Sequence, residues 1–205
     1  HRSGTFGCHV RCFELLRSDG SRLLCSPTQN ADWFRATIGG LGLTGFITWA
    51  EIQLRSIDNA GIDEEVIRYG NLGDFFRLSQ ESDRDFDYTV AWIDCLARGR
   101  SVGRGLFMRG NHAGPMAGEG PKAPAMKFTF PFDPPVALIN GLTLKLFNTL
   151  YYRKQVRTLQ RKLVHYAPFF YPLDTVAEWN RVYGSKGFLQ YQCVIPPEHA
   201  EAAIR

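Results

Sequence analysis

Four glycines fall within residues 39–45, and such clusters occur where a backbone turns tightly or contacts a ligand without intervening side chains. The residues before the cluster predict a short helix over residues 30–38, and alternating polarity after it predicts a strand over residues 46–54. A glycine turn between helix and strand reverses the Rossmann order, in which a strand leads into a helix that holds phosphate. The letters also do not fit G-x-G-x-x-G, so that dinucleotide motif is excluded and another kind of ligand contact is needed.

Two glutamines form a second feature with a chemical use. Gln190 and Gln192 lie two residues apart in a predicted strand over residues 187–195, so both side chains point to one face. A pair of amides facing a pocket suits hydrogen bonding to sugar hydroxyls. The alternative is polar pairing between strands on an exposed face.

The composition limits the classes of protein to which the chain can belong. With 205 residues, 44% of them hydrophobic and 21% charged, the chain is long enough for one or two globular domains with a sizeable core. A net charge of +4 is too weak to argue for nucleic acid, so no nucleic-acid partner is expected. Five scattered cysteines without zinc-site spacing indicate reduced thiols in a cytosolic setting and predict no metal site.

The remaining pattern, which must position these residues, predicts an α+β protein. Strands over residues 6–16 and 22–26 form a hairpin, and a junction near residues 58–61 separates two predicted domains, residues 1–57 and 58–205. The second domain is predicted to contain a helix over 72–80, paired strands over 88–96 and 103–109, a loop over 111–135, a helix over 174–182, the strand over 187–195 and a helix over 198–205.

An apolar, aromatic-rich segment at residues 136–152 is followed directly by a basic one. The basic residues are Arg153, Lys154, Arg157, Arg161 and Lys162. The apolar segment is short for a membrane span. Three alternatives stay open: contact with a membrane surface, a cradle for an anionic and greasy ligand, or a core helix followed by a solvated basic helix.

Three blocks of sequence together carry a resemblance to a known family. The first block is GTFGCHV at residues 4–10 with FRATIGGLGLTGFI at 34–47, and the second is YTVAWID at 88–94. The third comprises YRK at 152–154, FFYPLD at 169–174, EWNR at 178–181 and GFLQYQCVIP at 187–196. The first block resembles the second half of the PCMH-type FAD-binding domain in vanillyl-alcohol-oxidase flavoproteins. The third resembles the decaprenylphosphoryl-ribose oxidase subfamily, the flavoprotein half of an epimerase pair.

The resemblance implies a fold, a cofactor and a reaction. Residues 1–57 would be the last part of an FAD-binding domain, and residues 58–205 an incomplete substrate domain with a mixed or antiparallel sheet. FAD would take a hydride from a sugar carbinol, as in a polyprenyl-phosphoryl pentose, and a separate NAD(P)H-dependent reductase would reduce the keto-sugar. Such a role belongs to bacterial cell-wall polysaccharide biosynthesis, in the cytoplasm or peripheral to the inner membrane. Related alternatives are a sugar-lactone or alditol oxidase and, for the isolated chain, a flavin-free binding module.

The resemblance also implies roles for individual residues. Ile47 would contact FAD, and Gly42, Thr44 and Gly45 would shape the backbone beside it. The substrate side of the flavin would be lined by Trp92, Phe170, Gln190 and Gln192, and Arg153 and Lys154 are candidate phosphate contacts. Trp92 could equally be a plain core residue. Phe170 replaces a tyrosine of the subfamily and Tyr171 a histidine, which leaves the sugar undetermined.

Several family features fall outside the sequence. The pyrophosphate-binding loop and a flavin-facing histidine segment would precede residue 1, and the catalytic lysine region would follow residue 205. We therefore expect the chain to be an excerpt of a longer protein, with its catalytic base outside these residues.

Overall fold

The structure is a computed structural model that describes residues 3–116, 120–123, 128–129, 134, 138–184 and 187–204. The chain divides into two compact units, His1–Ser56 and Ile57–Arg205. Each unit contains its own antiparallel sheet, so the architecture is mixed α and β, as the sequence predicts.

The first unit is a three-stranded antiparallel sheet with one helix. Its elements are a 3-10 helix Phe6–His9, β1 Val10–Leu16, β2 Arg22–Cys25, α1 Ala31–Thr37 and β3 Phe46–Ile52. The strand order is β2-β1-β3, and β1 and β2 form the predicted hairpin. Phe13, Leu15, Cys25 and Phe34 are buried together, with the rings of Phe13 and Phe34 stacked at 5.4 Å. The helix, the glycine turn and the strand after it are confirmed. Residues 6–9, predicted as strand, instead form the 3-10 turn that the Cys8 N–H closes onto the Thr5 carbonyl.

The second unit is built on a four-stranded antiparallel sheet of order β5-β6-β4-β8. Its first half contains β4 Gly61–Tyr69, α2 Leu72–Asp85, β5 Tyr88–Ile93, a 3-10 helix Gly99–Ser101 and β6 Gly105–His112. Its second half contains β7 Phe128–Thr129, α3 Gly141–Lys154, β8 Leu159–His165, α4 Tyr166–Phe170, 3-10 helices Pro172–Thr175 and Trp179–Tyr183 around β9 Val176–Ala177, and α5 Pro197–Ile204. β7 and β9 form a separate parallel pair.

Helices cover both faces of this sheet. On one face α2 packs Leu78 against Phe107 and Tyr69, and the side chain of Arg109 on β6 reaches Ser82 of α2 at 3.1 Å. On the other face α3 packs against Trp92 of β5, and α4 packs near the opposite end of the same strand, at Tyr88. Side chains alternate along each strand, so Tyr88 and Trp92 point to this second face together.

Several predictions for the second unit are wrong. Residues 159–165 form β8, in which Arg161 and Lys162 pair with acidic residues of β4, so the alternative of a solvated basic helix there is wrong. Residues 174–182 do not form one helix, since Glu178 adopts a left-handed φ of 57° that interrupts helical geometry. Residues 187–195, expected as a strand, are irregular, and in the described part of the chain no strand pairs with them.

α3 begins at Gly141 within the apolar segment at residues 136–152 and ends two residues beyond it, while residues 136–137 lie outside the described residues. Within the described residues, no helix is both long enough and apolar enough to cross a membrane.

Candidate functional site

The glycine turn of the first unit combines open backbone with tight packing. Gly39 and Gly42 adopt left-handed φ values of 74° and 77°, and a Cβ on either would meet nothing within 4 Å. Gly40 and Gly45 are enclosed, because a Cβ would lie 2.1 Å from the Ala36 carbonyl oxygen or 2.6 Å from the Leu16 carbonyl oxygen, respectively. One side of the turn is therefore packed against the sheet and helix, and the other is free for a ligand to approach the backbone.

Side chains hold the packed side of the turn. The hydroxyls of Thr37 and Thr44 are 2.9 Å apart, which links the end of α1 to the start of β3. The Arg17 guanidinium donates to the Thr44 carbonyl and lies 4.0 Å from the centroid of the Trp33 ring. These contacts fix the conformation in which Gly42 presents its backbone.

The four residues predicted to bind the cofactor lie together at this turn. Gly42, Thr44 and Gly45 form it, and Ile47 follows on β3 with 44% of its surface exposed. Every residue of β3 is exposed. An open backbone beside an exposed apolar side chain fits contact with a flat, largely apolar flavin ring system, and these residues would hold that part of FAD.

The second unit contains a cleft on the sheet face that carries α3. It encloses about 290 Å³ and lies beside the helix. Its lining comprises Glu64, Val66, Leu106, Met108, Tyr151, Lys154, Gln155, Gln160 and Lys162. Amides, a carboxylate and ammonium groups around an apolar floor can bind a sugar with its hydroxyls hydrogen-bonded.

The predicted substrate residues Trp92 and Phe170 lie on this face. The Trp92 ring meets Tyr151 of the cleft edge to face at 4.9 Å. Phe170 ends α4 and meets Tyr88 edge to face, also at 4.9 Å, with 37% of its surface exposed. The structure thus places these two aromatic residues near opposite ends of the face of β5 that carries the cleft.

Gln190 and Gln192 are not placed at the cleft. Both lie exposed in the irregular segment that the sequence predicted as a strand, so the inference that they share a strand face is wrong for this structure. Their proposed role in substrate binding therefore has no support from strand geometry.

The charged residues of the central strand β4 were missed by sequence reasoning. Lys162 Nζ lies 3.0 Å from a carboxylate oxygen of buried Glu64, and Glu65 binds Arg109 and Arg161, each at 2.7 Å. The available signal was the combination of acidic residues at 63–65 with basic residues at 161–162, which neutralise one another across β4 and β8. The Glu64–Lys162 pair lies in the wall of the cleft, whereas the two pairs of Glu65 lie on the opposite face of the sheet, which carries α2.

A buried carboxylate anchors α3 to the sheet. Asp94 is 3% exposed and accepts hydrogen bonds from Arg104 at 2.8 and 3.0 Å, from the Asn148 amide at 2.8 Å and from the Leu96 N–H at 3.1 Å. Arg104 also lies 4.7 Å from the centroid of the Tyr152 ring on α3. This network fixes the helix that carries Tyr151 and Lys154 into the cleft.

The lowered pKa values of two carboxyl groups predict that the protein loses stability at acid pH. Burial raises the pKa of Asp94, but bonds from Arg104, Asn148 and Leu96 and the Arg104 charge outweigh burial and lower it overall. The pKa of Glu65 is likewise raised by burial and lowered overall by Arg109 and Arg161. The pKa of each carboxyl group is lower in the folded than in the unfolded protein. The two carboxylates therefore stabilise the fold fully above about pH 4–5, and this stabilisation disappears as the pH falls through the folded pKa values.

We therefore expect a melting temperature that varies little from neutral pH down to about 5 and drops steeply below about 4. Asp94→Asn cannot titrate at that position and should show a shallower acid limb. Thermal unfolding followed by circular dichroism across this pH range checks the prediction. An identical acid limb in the variant would assign the effect to other groups.

Comparisons with known proteins agree with the resemblance of the sequence. No protein-family model matches the chain. Decaprenylphosphoryl-beta-D-ribose oxidase of Mycolicibacterium smegmatis is 36% identical over an alignment of 214 residues, covering 98% of this chain and 45% of that protein. Cytokinin dehydrogenase 9 of Oryza sativa subsp. japonica is 43% identical, and Delta(24)-sterol reductase of Rattus norvegicus 37%, each over 26% of this chain and 10% of its own length.

The chain spans less than half the length of each of these relatives. Nearly all of it is nevertheless aligned with the first. The predicted resemblance is thus confirmed: nearly the whole chain is similar to decaprenylphosphoryl-beta-D-ribose oxidase, and shorter stretches are similar to cytokinin dehydrogenase 9 and Delta(24)-sterol reductase.

Proposed function

We propose that the protein containing this chain is an FAD-dependent oxidoreductase that oxidises a carbinol of a polyprenyl-phosphoryl pentose or a related sugar. The observation that carries the proposal is the 36% identity over 98% of the chain to decaprenylphosphoryl-beta-D-ribose oxidase. The open glycine turn and the polar cleft support it. They supply a surface suited to a flavin and a surface suited to a sugar, respectively.

Each unit has its own task in this proposal. Gly42, Thr44, Gly45 and Ile47 hold part of the cofactor against exposed backbone of the first unit. When bound, FAD supplies the acceptor for the hydride. Residues of the cleft bind the sugar: Glu64 accepts hydrogen bonds from its hydroxyls, and Lys154 and Lys162 donate to its oxygen atoms. The hydroxyl proton passes to a base that we place outside this chain.

The role in an epimerisation is a finer part of the proposal. Oxidation would give a keto-sugar, which a separate NAD(P)H-dependent reductase would reduce with inversion of the carbinol centre. A polyprenyl carrier would remain in a bilayer, so the protein would act at a membrane surface. Of the three alternatives that the sequence left open for residues 136–152, we therefore favour contact with a membrane surface.

Flavin content tests the cofactor assignment. Purified full-length protein should show the visible absorbance of an oxidised flavin, either as isolated or after incubation with FAD. The isolated 205-residue chain should bind FAD weakly, because the proposal assigns the pyrophosphate to other residues. A colourless full-length protein that FAD cannot reconstitute would contradict the assignment and favour a binding module without flavin.

A further inference from the structure

Helix α3 turns an apolar face to solvent. Leu142, Leu146 and Leu150 follow one another at four-residue intervals and are 78%, 61% and 61% exposed. Phe147 extends this face with 55% exposure. The opposite face is occupied, because Asn148 binds Asp94 and Tyr151 contacts Trp92. The exposed leucines therefore add nothing to the core of the unit, although α3 is firmly held by its other side.

A basic cavity lies against the same helix. It encloses about 650 Å³ between α3 and the turn after β5, and its polar lining includes Arg98, Ser101, Arg104, Lys145 and Thr149 with Asp94. Three cationic side chains and one carboxylate give a formal charge of +2. Arg104 forms an ion pair with Asp94, whereas Arg98 and Lys145 form none with the described part of the chain. Two cations facing a cavity suit a phosphate group.

The apolar face and the cavity adjoin each other along the helix. Lys145 lies one residue before Leu146, and Gly141 of the cavity lies one residue before Leu142. Exposed Arg153 follows the leucines in the last turn. Leucines flanked by lysine and arginine are typical of helices that lie in the surface of an anionic bilayer. In such helices the apolar side chains insert among the acyl chains and the cations contact the lipid phosphates.

We propose that α3 docks the protein on an anionic phospholipid surface, with Leu142, Leu146, Phe147 and Leu150 inserted and one lipid phosphate bound between Arg98 and Lys145. The inference deepens the membrane contact of the proposed function and rests on it. A protein partner fits less well. The apolar face of α3 is flanked by cations, and α3 contains no acidic residue. The cavity beside it, of about 650 Å³, has room for a phosphate with its hydration.

Vesicle binding tests the docking. The full-length protein with its cofactor is sedimented with phosphatidylcholine vesicles and with vesicles that also contain phosphatidylglycerol. We expect strong binding to the anionic vesicles only, weakened by salt. Leu146→Glu with Leu150→Glu should weaken binding at least about tenfold, since both side chains are exposed and their replacement leaves the core intact. Leu54→Glu, at a leucine that is 79% exposed in the other unit, is the matched control and should bind as the unmodified protein does.

The phosphate cavity has its own variants. Arg98→Ala with Lys145→Ala should abolish the preference for phosphatidylglycerol. Arg35→Ala with Arg77→Ala, which lowers the net charge equally at two exposed ion pairs, should retain it. Competition by inorganic phosphate at millimolar concentration would show a site for free phosphate instead of a lipid headgroup and would overturn the lipid assignment.

Other outcomes are equally decisive. Equal binding to neutral and anionic vesicles, no binding at all, or full binding by the double glutamate variant would overturn the proposal. Flavin absorbance is recorded for every variant. A variant that no longer binds vesicles but keeps its flavin tests the docking proposal alone. A colourless protein that still binds vesicles would contradict the proposed oxidase function and leave the docking proposal in place.

Discussion

Asp94→Ala is expected to lower the free energy of unfolding of the second unit by about 3–5 kcal/mol, the usual cost of removing one partner of a buried ion pair. The variant leaves the Arg104 guanidinium without its carboxylate and the buried Asn148 amide without its acceptor. Both groups attach α3 to the sheet, so the helix should detach first. Urea unfolding followed by circular dichroism measures the loss, and faster hydrogen exchange in residues 141–154 locates it.

An exposed ion pair gives the matched control. Arg77 and Glu81 pair at 3.0 Å on α2 with both side chains more than half exposed, so Glu81→Ala should cost less than about 1 kcal/mol. Comparable losses in the two variants would show that the Asp94 network contributes no more than a surface pair. Detachment of α3 should also reduce the sugar oxidation that we propose, because Tyr151 and Lys154 reach the cleft from this helix.

Gly40→Ala is expected to disrupt the glycine turn, at a cost of about 3 kcal/mol, the upper range for overpacking. The added Cβ would lie 2.1 Å from the Ala36 carbonyl oxygen, which belongs to backbone in α1 and cannot rotate away. The turn must shift, and with it the exposed backbone of Gly42. We therefore expect at least a tenfold rise in the dissociation constant for FAD in full-length protein, measured by titration with urea unfolding in parallel.

Gly20→Ala is a control that distinguishes the effect of backbone strain from the effect of disrupting the glycine turn at residues 39–45. Gly20 has a φ of 82° in the hairpin between β1 and β2, and a Cβ there would meet nothing within 4 Å. The variant should lose about 1–2 kcal/mol from its left-handed backbone and bind FAD normally. Normal FAD binding by Gly40→Ala, despite its lower stability, would remove the glycine turn from the proposed cofactor site.

The first unit could be predicted almost completely because its signals are local. A polar turn joins two apolar strands, and a short helix leads through glycines into an alternating strand. The hairpin and the helix–turn–strand segment are each formed by residues close in sequence, whereas β3 pairs with β1 across a longer separation. The cluster at residues 39–45 also predicted a tight turn, and Gly39 and Gly42 adopt positive φ values in it.

The second unit was harder because its strands are specified by distant partners. Three consecutive acidic residues, Asp63-Glu64-Glu65, are not typical of a buried strand. Such a strand is explained only by its neighbouring strands, which bring Lys162, Arg109 and Arg161 beside it. The same pairing makes residues 159–165 a strand, where a solvated basic helix was one of the alternatives. Trp92 and Phe170 were predicted from family resemblance, whereas Glu64 and Lys162 required the register of β4 with β8.

Substrate-dependent reduction of the flavin tests the central claim most directly. Under anaerobic conditions, full-length protein is mixed with a polyprenyl-phosphoryl pentose and, separately, with free alditols and sugar lactones. The proposed function predicts that the visible flavin absorbance bleaches with the polyprenyl-phosphoryl sugar and that one keto-sugar forms for each flavin reduced. Bleaching by alditols or lactones alone would identify a different oxidase of the same family, and no bleaching by any of them would contradict the assignment as a sugar oxidase.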